Sequence, residues 1–213
     1  MQSLRFPDKP MSVLCLGAHC DDIEIGCGGS LLRWIREKRV GRISFAVFCS
    51  DEKRARESAK ALKSLAGKTP HTLRFLGLRD GFLPQVWSDA KEIFEALARE
   101  NSYDLVVTHA RVDGHQDHRT VAELTWNTFR NHIVMEYEIP KFDGDLGQPN
   151  AFVNLSEADV RKKLKVLATC FPSQAGKPWF HEELFLGLLR VRGMESRSPS
   201  GYAEAFHLRK AVF

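Results

Sequence analysis

Apolar positions in the first 140 residues switch repeatedly between a strand pattern and a helix pattern. Residues Ser12 to Leu16 (SVLCL) form a short apolar run that stops at Gly17, which predicts a buried parallel strand. Leu31, Leu32 and Ile35 then recur at helical spacing. Ile43 to Cys49 predicts a second strand, and Arg54 to Leu65 a second helix with Ala55, Ala59, Leu62 and Leu65 on one side. His71 to Leu76 reads as a third strand. Ser88 is expected to cap the helix that carries Ile93, Phe94, Leu97 and Ala98. Leu105 to Val107 predicts a fourth strand, Asp117 to Phe129 a helix, and Ile133 to Tyr137 a fifth strand. Strand, crossover helix, strand repeated in this way predicts an α/β fold, a mostly parallel sheet with helices on both faces.

The pattern changes near Lys141. Gly144, Gly147, Pro149 and Asn150 mark a loop, and Ser156-Glu157-Ala158-Asp159 opens a helix with Ser156 as its cap. Phe171 to Trp179 holds two prolines and a glycine and reads as loop. The expected organisation is a single domain over residues 1–213. Residues 1–140 would form the core and 141–213 a C-terminal α+β extension that completes the rim of the site.

Composition narrows the class. With 213 residues, 43% hydrophobic and 27% charged, the chain can bury a full core and is neither disordered nor fibrous. The net charge of +4 is spread along the chain, and aromatics are not interleaved with Lys or Arg, so nucleic acid is not expected as a partner. Cys15, Cys20, Cys27, Cys49 and Cys170 are odd in number, which suits buried free thiols in a reducing compartment. Arg5, Asp8, Lys9 and two prolines among the first ten residues do not fit a secretory leader, and no membrane span is expected. A cytoplasmic protein is the expectation, which makes the sequon Asn154-Leu155-Ser156 incidental. Trp34 and Trp126 are expected in the core; for Trp87 and Trp179 core packing is expected ahead of stacking on a ligand.

Two motifs carry chemistry, and both follow the carboxyl end of a strand, where α/β sheets bind ligands. His19, Asp21 and Asp22 follow the first strand; His115, Asp117 and His118 follow the fourth. His19, Asp22 and His118 would form a two-histidine, one-carboxylate face for a divalent cation with open positions. These residue types alone leave zinc, iron, cobalt and manganese open. Asp21 is then a carboxylate without a ligand role, placed to take a proton from water at the metal. His115 is free to face the substrate, and Asp117 is expected to orient it through a hydrogen bond. Gly26, Gly28 and Gly29 lack the full GxGxxG spacing, and the acids before them would repel a pyrophosphate, so close packing of helix on sheet is expected instead.

The blocks His19-Cys20-Asp21-Asp22-Ile23-Glu24 and Asp113-Gly114-His115-Gln116-Asp117-His118 resemble the PIG-L/LmbE-like family of zinc-dependent sugar N-deacetylases. Supporting stretches are Gly26 to Leu31, Arg54-Ala55-Arg56-Glu57, Leu76 to Gly81, Ser173-Gln174, Arg192-Gly193 and Tyr202 to Phe206. The resemblance implies a Rossmann-like fold and one zinc ion per chain on His19, Asp22 and His118. It implies Asp21 as general base and His115 as the group that stabilises the tetrahedral intermediate and helps the amine leave. It places Arg54 and Asp80 where relatives hold sugar hydroxyls, and leaves a homo-oligomer open. The implied substrate is a small N-acetylglucosamine-type amino sugar or conjugate. Cys20 stands where the family usually has proline and is expected to face away from the metal. The short Ser50-Asp51-Glu52-Lys53 segment implies a more open rim. Two other readings compete: a metal-dependent hydrolase of another bond, such as a phosphoester, and a non-catalytic carbohydrate-binding protein on the same fold.

Overall fold

The structure, a computed structural model, describes residues 9–211. Residues 1–8, which carry the argument against a leader apart from Lys9 and Pro10, lie outside the described residues. The alternation expected from the apolar pattern is present. In chain order the elements are β1 (Met11–Gly17), α1 (Asp22–Arg36), β2 (Val40–Cys49), α2 (Glu52–Ala66), β3 (His71–Leu78), a 3-10 turn (Leu83–Val86), α3 (Trp87–Glu100), β4 (Leu105–His109), α4 (Gln116–Thr128) and β5 (Ile133–Tyr137). The tail adds β6 (Ala151–Asn154), α5 (Glu157–Cys170), α6 (Glu182–Glu195) and β7 (Ala203–Leu208).

One seven-stranded sheet runs in the order β3-β2-β1-β4-β5-β7-β6. The five strands from β3 to β5 are parallel, whereas β7 lies antiparallel to both β5 and β6. β1, β4 and the second half of β2 are apolar on both faces, because helices cover both, whereas the edge strand β3 is only partly buried. Val13, Cys15, Phe45 and Val47 face the side of α1, α2 and α5; Leu14, Leu16, Phe48 and Val106 face α3 and α4, where Phe94 and Phe129 pack. Chain connections turn outward in opposite directions from β1 and β4, which pair through Val13–Leu105, Leu14–Val106 and Cys15–Val107. The crevice beyond their carboxyl ends is the topological switch point.

The glycines of α1 do what close packing requires. A Cβ on Gly26 would stand 2.2 Å from the Tyr137 ring of β5, and one on Gly29 would stand 2.5 Å from Leu155. Ser156 and Asp159 form the expected capping box at α5. Ser88 does not cap α3: the 3-10 turn, with Pro84 near its start, feeds directly into Trp87, and Ser88 falls inside the first turn. Trp34 is buried, while Trp126 is only half-buried, flanked by Arg111 and Lys210 with its Nε1 donating to Glu136. All five cysteines are buried and free. Among the described residues no helix is long and apolar enough to cross a membrane.

Candidate metal centre

The first donor loop leaves β1 at Gly17 and closes on itself, with the His19 N–H donating to Asp22 Oδ2 at 2.6 Å. Asp22 opens α1, and Asp21 before it has φ 129° and ψ −22°, a conformation L-residues rarely adopt. That strain turns two consecutive carboxylates in different directions, and such outliers cluster at functional sites.

The second donor loop leaves β4 and enters α4, where His115 is the N-terminal cap. It brings His118 to His19 across the switch point: His19 Nδ1 lies 3.1 Å from His118 Nε2. Asp22 completes the triangle, with Oδ2 3.5 Å from His19 Nδ1 and Oδ1 3.5 Å from His118 Nε2. A tetrahedral ion with bonds of about 2.0–2.1 Å separates its donors by roughly 3.3 Å, and these three separations, which reach two different oxygens of Asp22, are of that size.

The far nitrogens of both imidazoles are already occupied. His118 Nδ1 donates to Asp113 Oδ2 at 3.0 Å. His19 Nε2 has two acceptors at 3.1 Å, Asp117 Oδ2 and Asp80 Oδ1. With their remote N–H groups on carboxylates, the near nitrogens present lone pairs to each other, and one positive charge between them, proton or cation, is required. Carboxylate–imidazole pairing of this kind is how metal-binding histidines are oriented. Burial pulls the His19 imidazole down, but Asp117, Asp22 and Asp80 outweigh it and hold its pKa well above the ordinary value. Burial and the neighbouring His109 lower His118. Asp22 stays ionised although burial opposes it, because His118 and His109 face it. The donor set therefore fits a divalent cation. Among the described residues donor atoms gather within 4.8 Å of one another in three overlapping sets: His19, His115 and His118; His19, Asp80, His115 and Asp117; and Asp22, His109 and His118.

Around this centre stand further polar groups, of which Asp80 and His115 also belong to the donor sets. Asp21 is buried, and burial together with the Asp22 charge pushes its carboxyl up, against the pull of Arg54. Arg54 Nη2 lies 3.4 Å from both Asp21 oxygens and donates to the Cys20 carbonyl at 2.8 Å, while Nη1 lies 3.4 Å from Asp80. Arg54 and Asp80, placed by resemblance on sugar hydroxyls, are thus tied to Asp21 and His19. The Asp80 side chain remains 59% exposed, so this edge of the site meets solvent. His115 is half-buried, its ring centroid 4.8 Å from those of both His19 and His118. Its Nδ1 accepts the Asp117 N–H at 3.2 Å, which leaves the ring proton of the neutral form on Nε2. Burial and the two neighbouring imidazoles lower its pKa and favour that neutral form.

Asp117 differs from its expected task. Its carboxylate accepts from Gly81 N–H (2.6 Å) and Leu83 N–H (3.0 Å) and faces His19; only its backbone N–H reaches His115. The carboxylate orients the histidine of the first loop, because the loop after β3 supplies two donors that turn it away from its own helix cap. Cys20 is buried in the core beside the Cys49 carbonyl and belongs to none of the donor sets. Two residues have no assigned role in the sequence reading. His109, the last residue of β4, stacks on His118 with centroids 3.9 Å apart and lies 3.1 Å from Asp22 Oδ2. Asp113 holds His118 from within the second motif. A histidine ending a strand beside the switch point was the available signal for the first; the second had none beyond its place in the motif.

The sequence matches no curated protein. Solved structures match over nearly the whole chain. A conserved protein of Thermus thermophilus superposes with a TM-score of 0.74 at 23% identity, over 95% of this chain and 96% of that one. The N,N'-diacetylchitobiose deacetylase of Pyrococcus horikoshii gives 0.66 at 18% identity, over 92% and 83%. The 4-carboxy-2-hydroxymuconate hydratase of Pseudomonas putida gives 0.70 at 15% identity, over 95% and 97%. At these identities the likeness is one of fold. The family model described as PIG-L, GlcNAc-PI de-N-acetylase, matches residues 14–129, the stretch that carries both donor loops, and the chain belongs to that family.

Proposed function

We propose that this chain is a hydrolase that removes the acetyl group from an N-acetylglucosamine-type amino sugar or its conjugate, using one zinc ion per chain on His19, Asp22 and His118. One observation carries the reading. Two imidazoles from remote loops face each other at 3.1 Å with their far nitrogens committed to carboxylates, and an acid without a ligand role stands beside them. A divalent cation held by His19, Asp22 and His118 would supply Lewis acidity for an amide carbonyl and for water.

The chain's own groups do the rest. Asp21, held by Arg54, accepts the proton of the attacking water. His115 offers its Nε2–H as a hydrogen bond to the oxygen on which charge develops and keeps that proton, and Asp21 returns the proton it took from water to the departing nitrogen. Arg54 and the exposed Asp80 face the side from which sugar hydroxyls approach, where the guanidinium can donate and the carboxylate accept. Membership of a family described by a de-N-acetylase, and a fold shared with a chitobiose deacetylase, support the amino-sugar class. The five free buried thiols support a cytoplasmic location.

The hydratase on the same fold supports keeping the bond itself under test. Incubating the protein with a panel of N-acetylglucosamine conjugates and measuring primary-amine release decides the matter. Amine should appear, disappear with a chelator and return with zinc. Release that survives chelation, or none from any N-acetyl sugar, overturns the proposal. Asp21→Asn should retain its metal by elemental analysis while turnover falls by about 10²–10⁴, the usual contribution of a positioned base.

A further inference from the structure

The tail beyond β5 reaches back to the second donor loop. Asp113 is buried, and its two oxygens divide their work: Oδ2 accepts from His118 Nδ1, and Oδ1 accepts from the His115 N–H at 2.8 Å and lies 3.0 Å from Lys141 Nζ. The Lys141 side chain is only 10% exposed and bonds a second carboxylate, Asp145, which in turn accepts from the Gly114 N–H. The two segments touch directly, since a Cβ on Gly114 would stand 2.6 Å from Asp143 Cβ. The segment is itself anchored. Arg192 of α6 grips Glu138 through two hydrogen bonds of 2.9 and 2.6 Å and donates to the Gly147 carbonyl at 3.0 Å. Lys141 and Asp145 sit between those two anchor points, and both lie outside the stretch that the family model matches.

We propose that Lys141 is a positioning residue for the metal centre, holding His118 in its binding orientation through Asp113. The inference rests on the metal assignment above. The physical argument is one of charge and direction. A buried carboxylate is costly without a cation beside it, and Lys141 provides one on the oxygen opposite His118. With Lys141 in place, Asp113 keeps one oxygen on each partner, and His118 keeps its proton on Nδ1 and its lone pair on Nε2, toward His19 and Asp22. Without it, Oδ1 keeps only the His115 N–H, and the carboxylate loses the cation that fixes its plane, which loosens the His118 ring. Removing such an outer partner of a metal-binding histidine weakens metal affinity about 10- to 100-fold.

The test is zinc affinity by chelator competition on the purified full chain, with the melting temperature of the metal-free protein measured alongside. Lys141→Met and Lys141→Gln should each bind zinc about tenfold more weakly. Metal-free melting should fall in both variants, because Asp113 is left without its buried cation, while the chain stays folded at the assay temperature; Lys141→Arg should recover most of the loss in affinity. Asp113→Asn should lose at least as much, and Lys141→Met combined with Asp113→Asn no more than Asp113→Asn alone, because both act on one carboxylate. Unchanged affinity in the Lys141 variants overturns the proposal. So do losses that add in the double variant, or a Lys141→Arg variant that binds zinc as weakly as Lys141→Met. A wild-type chain that binds no zinc sinks the metal assignment as well, which separates the two failures.

Discussion

Asp117 shows how much one side chain's direction decides. From its place two residues after His115 it is expected to orient that ring through a hydrogen bond. The two N–H groups of Gly81 and Leu83 fix the carboxylate toward His19 instead. That placement separates two kinetic outcomes. Asp117→Asn should weaken zinc binding about 10- to 100-fold, since the His19 ring loses a charged acceptor. At saturating zinc, turnover should recover to within a fewfold of wild type. If Asp117 acted chiefly on His115, the loss in kcat would persist however much metal was added. Measuring Kd and kcat across a zinc titration distinguishes these. Cys20 is the converse case, where position suggests involvement and direction removes it. Burial pushes its thiol well above the ordinary range, and its Sγ faces the Cys49 carbonyl, so it is a poor ligand and a poor nucleophile.

Helix α1 is seated by its glycines, and the seat matters because its first residue is Asp22. The Tyr137 ring fills the space over Gly26, and its hydroxyl donates to the Leu16 carbonyl at 2.7 Å, one residue before the turn into the first donor loop. Gly26→Ala drives a methyl into that ring, and overpacking of this kind costs about 1–3 kcal/mol. The expected result is an earlier urea midpoint for Gly26→Ala. Gly28→Ala serves as the control: its Cβ meets only the flexible Leu65 Cδ1 closely, at 3.3 Å, and the gain in helix propensity of about 1 kcal/mol offsets the contact. Equal midpoints for the two variants would show that the Tyr137 contact is not what seats the helix. At this scale the sequence was readable wherever burial is regular. β1 to β5 and the helices between them repeat one period long enough to stand out. The start of α3 was not readable, because a 3-10 turn rather than a capping side chain begins it. β6 and β7 were hidden too: one has four residues, and the other turns a charged Glu204 inward.

Glu204 ties the tail to α1 although the family match ends at residue 129. Its carboxylate accepts from the N–H groups of Gly29 (2.8 Å) and Ser30 (2.6 Å) in α1 and pairs with Lys163 Nζ of α5 at 2.6 Å. Lys163 also donates to the Ile25 carbonyl, so a buried ion pair from two tail elements enters the middle of the helix that carries Asp22. The donor residues of the centre were legible because both motifs are short and follow strand ends. The groups that hold them were not, since Glu204 lies 175 positions from Gly29 and no local pattern reports such a pairing. Breaking the pair from one side is predicted to be far worse than removing both charges. Lys163→Met leaves Glu204 buried with helix N–H groups alone, and an uncompensated buried charge costs about 3–5 kcal/mol. Replacing both, as Lys163→Met with Glu204→Gln, removes that charge while the glutamine oxygen still accepts from α1, and should restore a substantial part of the loss. Urea denaturation with chelator present, so that metal binding adds no stability of its own, reads this directly. A double variant as unstable as the sum of its parts would mean that packing around these side chains, rather than their charge, joins the tail to α1.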